Sequence, residues 1–149
     1  MAVTATYRVG DEIPSLTKSL SQQGINLFEK SGGTEGPSQF TDEETARSTL
    51  GTRGTVASGR MSVTFGAEML RRYFGPKQYN RGGMVELRFL RPARPGDTVT
   101  FTGKITAIDR TVDGARVFIG VTATNQKGDV TAVGTGSCIV PSLCLPAEE

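Results

Sequence analysis

The chain has 149 residues, 36% hydrophobic and 21% charged, enough to bury a core without disulfide or metal staples. Its formal net charge of +2 gives no pull toward nucleic acid or a membrane surface, so neither partner is expected. Histidine is absent, so any chemistry here does without imidazole, and with only two cysteines there is no zinc-type ligand set. No metal and no cofactor are expected.

No apolar run approaches the roughly 18 residues of a membrane span. Residues Met1 to Asp11 lack a charged stretch followed by an apolar core, so no secretory leader is expected and the cytoplasm is the expected compartment. Cys138 falls in a strand pattern and Cys144 in a Pro-flanked tail. A disulfide between them stays open, and two reduced thiols are the simpler expectation.

In chain order, Ser21 reads as an N-cap, with Ile25 and Phe28 on one helical face and Ser31-Gly32-Gly33 as the stop. A loop with Gly36-Pro37 follows. Thr41 opens a capping box with Glu44, and this short helix runs to Leu50 before Gly51. From about Arg60 a longer helix carries Met61, Phe65 and Met69 in one row and Val63, Ala67, Leu70 and Phe74 in another, up to Gly75-Pro76.

At Met84 the period changes to two. Val85, Leu87 and Phe89 alternate with Glu86 and Arg88. Gly82-Gly83 just before them reads as a turn or as a close backbone approach. After Pro95-Gly96-Asp97, a second strand places Val99, Phe101, Gly103, Ile105 and Ala107 on one face. Asp113-Gly114 turns the chain into Val117–Ala123, and Lys127-Gly128-Asp129 into a last strand, Val130–Val140. Helices first and antiparallel strands second argue an α+β fold in one domain spanning residues 1–149. The helix from Met61 to Phe74 is the one element with an apolar face matching the sheet, so the expected architecture is a curved antiparallel sheet wrapped around it.

The run Arg88-Phe89-Leu90-Arg91-Pro92-Ala93-Arg94-Pro95-Gly96-Asp97 resembles the strand-to-strand signature of MaoC-like hotdog domains. Val56-Ala57-Ser58-Gly59-Arg60-Met61 resembles their approach to the central helix, Asn125–Val130 their last hairpin and Val9–Glu12 their N-terminal segment. The resemblance covers nearly the whole chain, from Val9 to Pro141. It implies the hotdog fold, an acyl-thioester substrate on coenzyme A or acyl carrier protein, and two hotdogs joined sheet edge to edge with sites at the junction. The assembly is then a homodimer or a heterodimer with another hotdog subunit.

Many members hydrate enoyl thioesters with an Asp and a His from a Gly-Asp-x-Asn-Pro-x-His segment, a general acid-base pair around a water. A backbone N–H at the start of the central helix polarises the thioester carbonyl. The matching segment here is Gly33-Thr34-Glu35-Gly36-Pro37-Ser38-Gln39. Pro37 is kept, but Thr34 stands at the Asp position and Gln39 at the His position. The helix-start glycine is kept as Gly59, preceded by Ser58 where a histidine is common. Neither Gln39 nor Thr34 accepts a proton, so the expected activity is altered or lost.

Three roles follow. A relocated base is Glu35, with Asp42, Glu43 and Glu44 behind it; their plain alternatives are a solvated loop residue and an acidic first helical turn. The chain is otherwise a non-catalytic hotdog partner that completes the cleft of an active subunit. Thioester hydrolysis needs a carboxylate on the central helix, where Glu68 is available, although an ion pair with Arg71 or Arg72 explains it more simply. Arg53, Arg60, Arg81, Arg91 and Arg94 are candidate phosphate contacts, each more simply a surface cation.

Overall fold

Residues 6–33, 36–51 and 53–141 are described by the computed structural model. They begin with an element that the hydrophobic pattern hid, a strand β1 (Glu12–Ser19). Its buried residues, Ile13 and Leu16, are three apart, which looks helical. The cause is a register shift: Ile13 and Leu16 face Gly103 and Phe101, so one extra residue bulges on β1. The first half of the chain is therefore not helices and loops alone.

Helix α1 (Gln22–Ser31) starts as expected, with the Ser21 hydroxyl accepting the Gly24 N–H at 3.0 Å. Helix α2 (Glu43–Leu50) is capped by Asp42 rather than Thr41. The Asp42 carboxylate accepts the Thr45 N–H at 2.9 Å and its hydroxyl at 2.6 Å. Thr41 instead closes the preceding turn, accepting the Ser38 N–H at 3.1 Å. Gly51 ends α2 with φ at 70°, a left-handed conformation that suits glycine.

Helix α3 (Gly59–Phe74) buries Met61, Gly66, Met69, Leu70 and Phe74. Gly75-Pro76 stops it but does not end helical structure. Pro76 occupies the first position of a further short helix, α4 (Pro76–Gly82), where its missing N–H costs nothing. At its exit Gly82 lies against Ile139 and Gly83 against Tyr79, so this pair is a close backbone approach rather than only a turn.

The remaining strands are β2 (Met84–Phe89), β3 (Thr98–Arg110), β4 (Gly114–Thr124) and β5 (Val130–Pro141). All pairs are antiparallel, in the order β1-β3-β4-β5-β2. β2 thus lies on the far edge beside β5, away from the strand that follows it. Phe101, Ile105, Val117, Ile119, Cys138 and Val140 are buried on one face of the sheet, and α3 packs across that face. Burial pushes the Cys138 thiol up to about 11, so it is not a ready nucleophile. Cys144 lies outside the described residues. A five-stranded antiparallel sheet around one helix is the hotdog arrangement that the resemblance implied. Among the described residues no helix is long and apolar enough to cross a membrane.

Two outcomes test this packing. Leu70 is 0% exposed at the helix–sheet contact, so Leu70→Ala is expected to cost about 2–5 kcal/mol in urea unfolding. Val112 is 100% exposed, and Val112→Ala should stay within about 0.5 kcal/mol. The hydrogen bonds from Thr45 hold the Asp42 carboxyl below its ordinary value of 3.8. A depressed folded value means stability that is present above the unfolded value and lost as pH falls through the folded one. Asp42→Asn keeps an acceptor at the cap, so it should flatten the acid limb of thermal stability below pH 3.8 and leave neutral stability nearly unchanged.

Candidate functional site

The start of α3 has no side-chain cap. Ser58 sits at its N-cap in extended geometry, φ −69° and ψ 153°, yet its side chain makes no capping bond. The first N–H groups of a helix have no intrahelical acceptor, and the end carries partial positive charge. Just upstream, the Ala57 N–H donates to the Ala93 carbonyl at 2.7 Å, which ties this segment to the chain leaving β2. That chain is held from below, because the Thr131 carbonyl accepts the N–H groups of Leu90 at 2.8 Å and Arg91 at 3.3 Å.

Phe89, the last residue of β2, lies over the helix start. A Cβ added to Gly59 would stand 2.8 Å from Phe89 Cε2, so any side chain there has to push the Phe89 ring aside. Between helix and strand lies a cleft of about 340 Å³. Its lining is Ala57, Ser58, Gly59 and Ser62 on the helix side, residues 89–93 on the strand side, and Thr131 beneath. Ser58 is 3% exposed, and its hydroxyl has no hydrogen-bond partner among the described residues. A buried polar atom left this way calls for an explanation, since such groups are nearly always satisfied. Among the described residues the lining holds no carboxylate, and its one charged side chain is that of Arg91, which is exposed.

Of the site residues expected from sequence, the structure brings Ser58 and Gly59 together in this cleft. Gln39 is close but not part of the lining. Its carbonyl accepts the Val56 N–H at 3.2 Å, two residues ahead of Ser58. Its loop is fixed by Gln22, whose amide donates to the Phe40 carbonyl at 2.9 Å and accepts from the buried Thr55 hydroxyl at 2.5 Å. Thr34 and Glu35 lie outside the described residues. Asp42 is a helix cap with a lowered pKa, the opposite of what a relocated base needs. Glu43 and Glu44 are exposed first-turn residues of α2.

Glu68 pairs with Arg72 at 3.7 Å, as the helical spacing suggested, but more closely with Lys18 of β1 at 2.9 Å. It does not line the cleft. Among the candidate arginines, Arg91 alone lines the cleft. Arg94 donates to the Arg53 carbonyl at 2.9 Å, and Arg81 borders a separate cavity beside α4. Arg60 pairs with Glu29 at 2.8 Å.

Two features of the site escaped the sequence. Glu29 is 1% exposed and, through Arg60, pins the end of α1 to the first turn of α3 beside Gly59. Nothing in an acidic residue next to Lys30 announces that. Phe89 reads as one more residue of an alternating strand, and its place over Gly59 depends on the β2–β5 register.

With this geometry in hand, the relatives can be named. The family described as the FAS1-like dehydratase domain region matches residues 8–133. No curated protein sequence matches the chain. Among solved structures, a MaoC-like dehydratase from Rhodospirillum rubrum is 26% identical with a TM-score of 0.74, over 91% of this chain and 93% of that one. The unliganded (R)-hydratase PhaJ1 from Pseudomonas aeruginosa is 22% identical with a TM-score of 0.72, over 91% and 83%. A HadBC complex from Mycobacterium tuberculosis, a 3R-hydroxyacyl-ACP dehydratase, is 19% identical with a TM-score of 0.66, over 91% and 98%. The last two share the fold with it. Matched from residue 8 to residue 133 and built on the same sheet and helix, this chain belongs to the FAS1-like dehydratase-region family of MaoC-like hotdog proteins.

Proposed function

We propose that the cleft at the start of α3 binds an acyl thioester, carried on coenzyme A or acyl carrier protein. In this proposal the chain handles it as a hydratase/dehydratase relative whose water-activating pair has been replaced. The observation that carries this reading is the pairing of an uncapped helix N-terminus at Gly59 with the buried, unpartnered hydroxyl of Ser58. A thioester carbonyl oxygen placed there accepts from the Gly59 N–H and the Ser58 O–H together. Both donors are fixed before the ligand arrives, which is the arrangement that stabilises negative charge developing on that oxygen. Phe89, Leu90 and Pro92 offer an apolar wall for the acyl part. Arg91, exposed at the rim, suits the phosphate groups of the carrier.

Among the described residues the cleft has no group suited to proton transfer. Ser, Thr and Arg side chains do not accept a proton near neutral pH, and Gln39 is neutral throughout. Glu35, one residue from the position where the family carries aspartate, is the remaining carboxylate candidate for a base. Binding and carbonyl polarisation are therefore retained, while hydration or dehydration by the isolated chain is altered or lost. The same lack of a proton acceptor favours a second role, in which the chain lends its cleft to a subunit that supplies the acid and base. Thioester hydrolysis through Glu68 has less support, because Glu68 is committed to Lys18 and Arg72 away from the cleft.

The test uses the purified chain with butyryl-coenzyme A in calorimetry and a panel of trans-2-enoyl-coenzyme A esters in an absorbance assay. Saturable binding is expected. Ser58→Ala should weaken it about 3- to 10-fold, the worth of one hydrogen bond. Gly59→Val should abolish it by displacing Phe89. Loss of enoyl absorbance should be no faster than in a Glu35→Gln control. Failure to bind any ester would sink the thioester reading, and turnover well above that control would make Glu35 the base.

A further inference from the structure

Hydrogen-bond donors are distributed unevenly across the cleft. On the strand side they are committed. The N–H groups of Leu90 and Arg91 both go to the Thr131 carbonyl, at 2.8 and 3.3 Å, and Pro92 has no N–H. The Thr131 hydroxyl donates to the Ala123 carbonyl at 3.3 Å. Arg91 is the one cation among the described lining residues, and it is exposed. On the helix side the Ser58 hydroxyl is buried without a partner among the described residues, beside the Gly59 N–H at the uncapped start of α3. An oxygen at the helix start is therefore met by donors. An anion laid against Phe89, Leu90 and Pro92 loses water and gains no replacement there.

Reactions of a thioester differ in what they ask of a site. Adding water, to a double bond or to the carbonyl, needs a group that takes a proton from it, and the described lining has none. Losing a carboxylate from Cα needs no base. It needs a sink for an electron pair and a poorly hydrated carboxylate. We propose that this cleft decarboxylates malonyl-type thioesters, which carry a carboxylate on Cα. The inference rests on the thioester reading above and extends it to a reaction other than hydration or dehydration.

In the step itself, the thioester oxygen accepts from the Gly59 N–H and the Ser58 O–H, and the substrate carboxylate lies against the apolar wall. The bond from Cα to the carboxyl carbon breaks. Its electron pair forms a double bond between Cα and the carbonyl carbon, and the carbonyl π pair moves onto the oxygen. Carbon dioxide leaves. The thioester enolate that remains carries its negative charge on the oxygen that both donors hold. A water at the cleft mouth then gives a proton to Cα, where Phe89 and Leu90 are about half exposed. The products are an acetyl thioester and hydroxide, which carbon dioxide takes up as bicarbonate. No side chain changes its protonation state, so the route suits a chain without histidine.

The test gives the purified full-length chain malonyl-coenzyme A and follows acetyl-coenzyme A, free coenzyme A and carbon dioxide against a sample without protein. Calorimetry with butyryl-coenzyme A runs beside it. Acetyl-coenzyme A and carbon dioxide are expected in equal amounts, with no free coenzyme A. The rate should be level from about pH 6 to 8, since no group of the chain takes or gives a proton. Ser58→Ala should lower kcat about 100-fold or more, the effect of removing one donor to a developing oxyanion. Its butyryl-coenzyme A affinity, reduced only about 3- to 10-fold, shows that the variant is folded. Leu90→Asn sets a donor on the wall, so it should tighten malonyl-coenzyme A binding while slowing turnover, each about tenfold. Butyryl-coenzyme A bound with no acetyl-coenzyme A formed overturns the proposal and leaves the thioester reading standing. So does free coenzyme A in place of acetyl-coenzyme A, a rate that climbs with pH, or a Ser58→Ala chain as fast as the wild type. Neither ester bound would sink the thioester reading and this proposal with it.

Discussion

The structure depends on how closely α3 lies against the sheet. Two glycines bear on that distance: Gly136 leaves room for Leu70, where an added Cβ would stand 2.3 Å from Leu70 Cδ1, and Gly59 lies under Phe89. Close packing of this kind brings many small dispersion contacts together and leaves little room to adjust, so a change in one layer is felt in the other. It also decides where function is possible. Because Phe89 covers Gly59 from β2, the uncapped start of α3 faces a walled cleft instead of open solvent.

Around that contact, polar side chains position the segments that form the cleft. The Glu29–Arg60 pair fixes α1 to the first turn of α3. Gln22 joins the loop at Phe40 to Thr55. Asp97 accepts the Arg94 N–H and the Gln126 amide, which joins the turn after β2 to the last hairpin. The cleft therefore draws on the packing of all the layers, while the chemistry in it is reduced to two hydrogen-bond donors and an exposed cation. On the proposed reading, a chain without histidine has kept the half of the family's site that polarises a carbonyl and replaced the half that moves a proton.

Much of the fold was legible because its elements have clean periods. The alternation through Val99–Ile105 and Val117–Ala123, and Met61, Phe65, Met69, Leu70 and Phe74 of the two apolar rows of α3, map onto the helix–sheet core. A bulge after Ile105 packs Ile108 rather than Ala107 against it, and Val63 and Ala67 stay outside it. β1 was hidden because its bulge turns a two-residue period into three. α4 was hidden because Gly-Pro reads as a stop, although proline also begins helices. Within the site, Gly59 and Ser58 could be found from the segment resembling the family's helix start. Phe89 could not, because its role comes from strand register, and Glu29 could not, because its burial depends on a partner 31 residues away in the chain. Strand order was likewise beyond periodicity, since β2 pairs with the last strand and not with the next one.

The most direct test of the central claim is an amide nuclear magnetic resonance titration of the full chain with butyryl-coenzyme A. The account predicts saturable shifts at Gly59 and its neighbours Ala57 to Ser62, accompanied by the ring resonances of Phe89. Shifts confined to the cavity beside Lys77 and Arg81, or no shift at saturating ester, would contradict it.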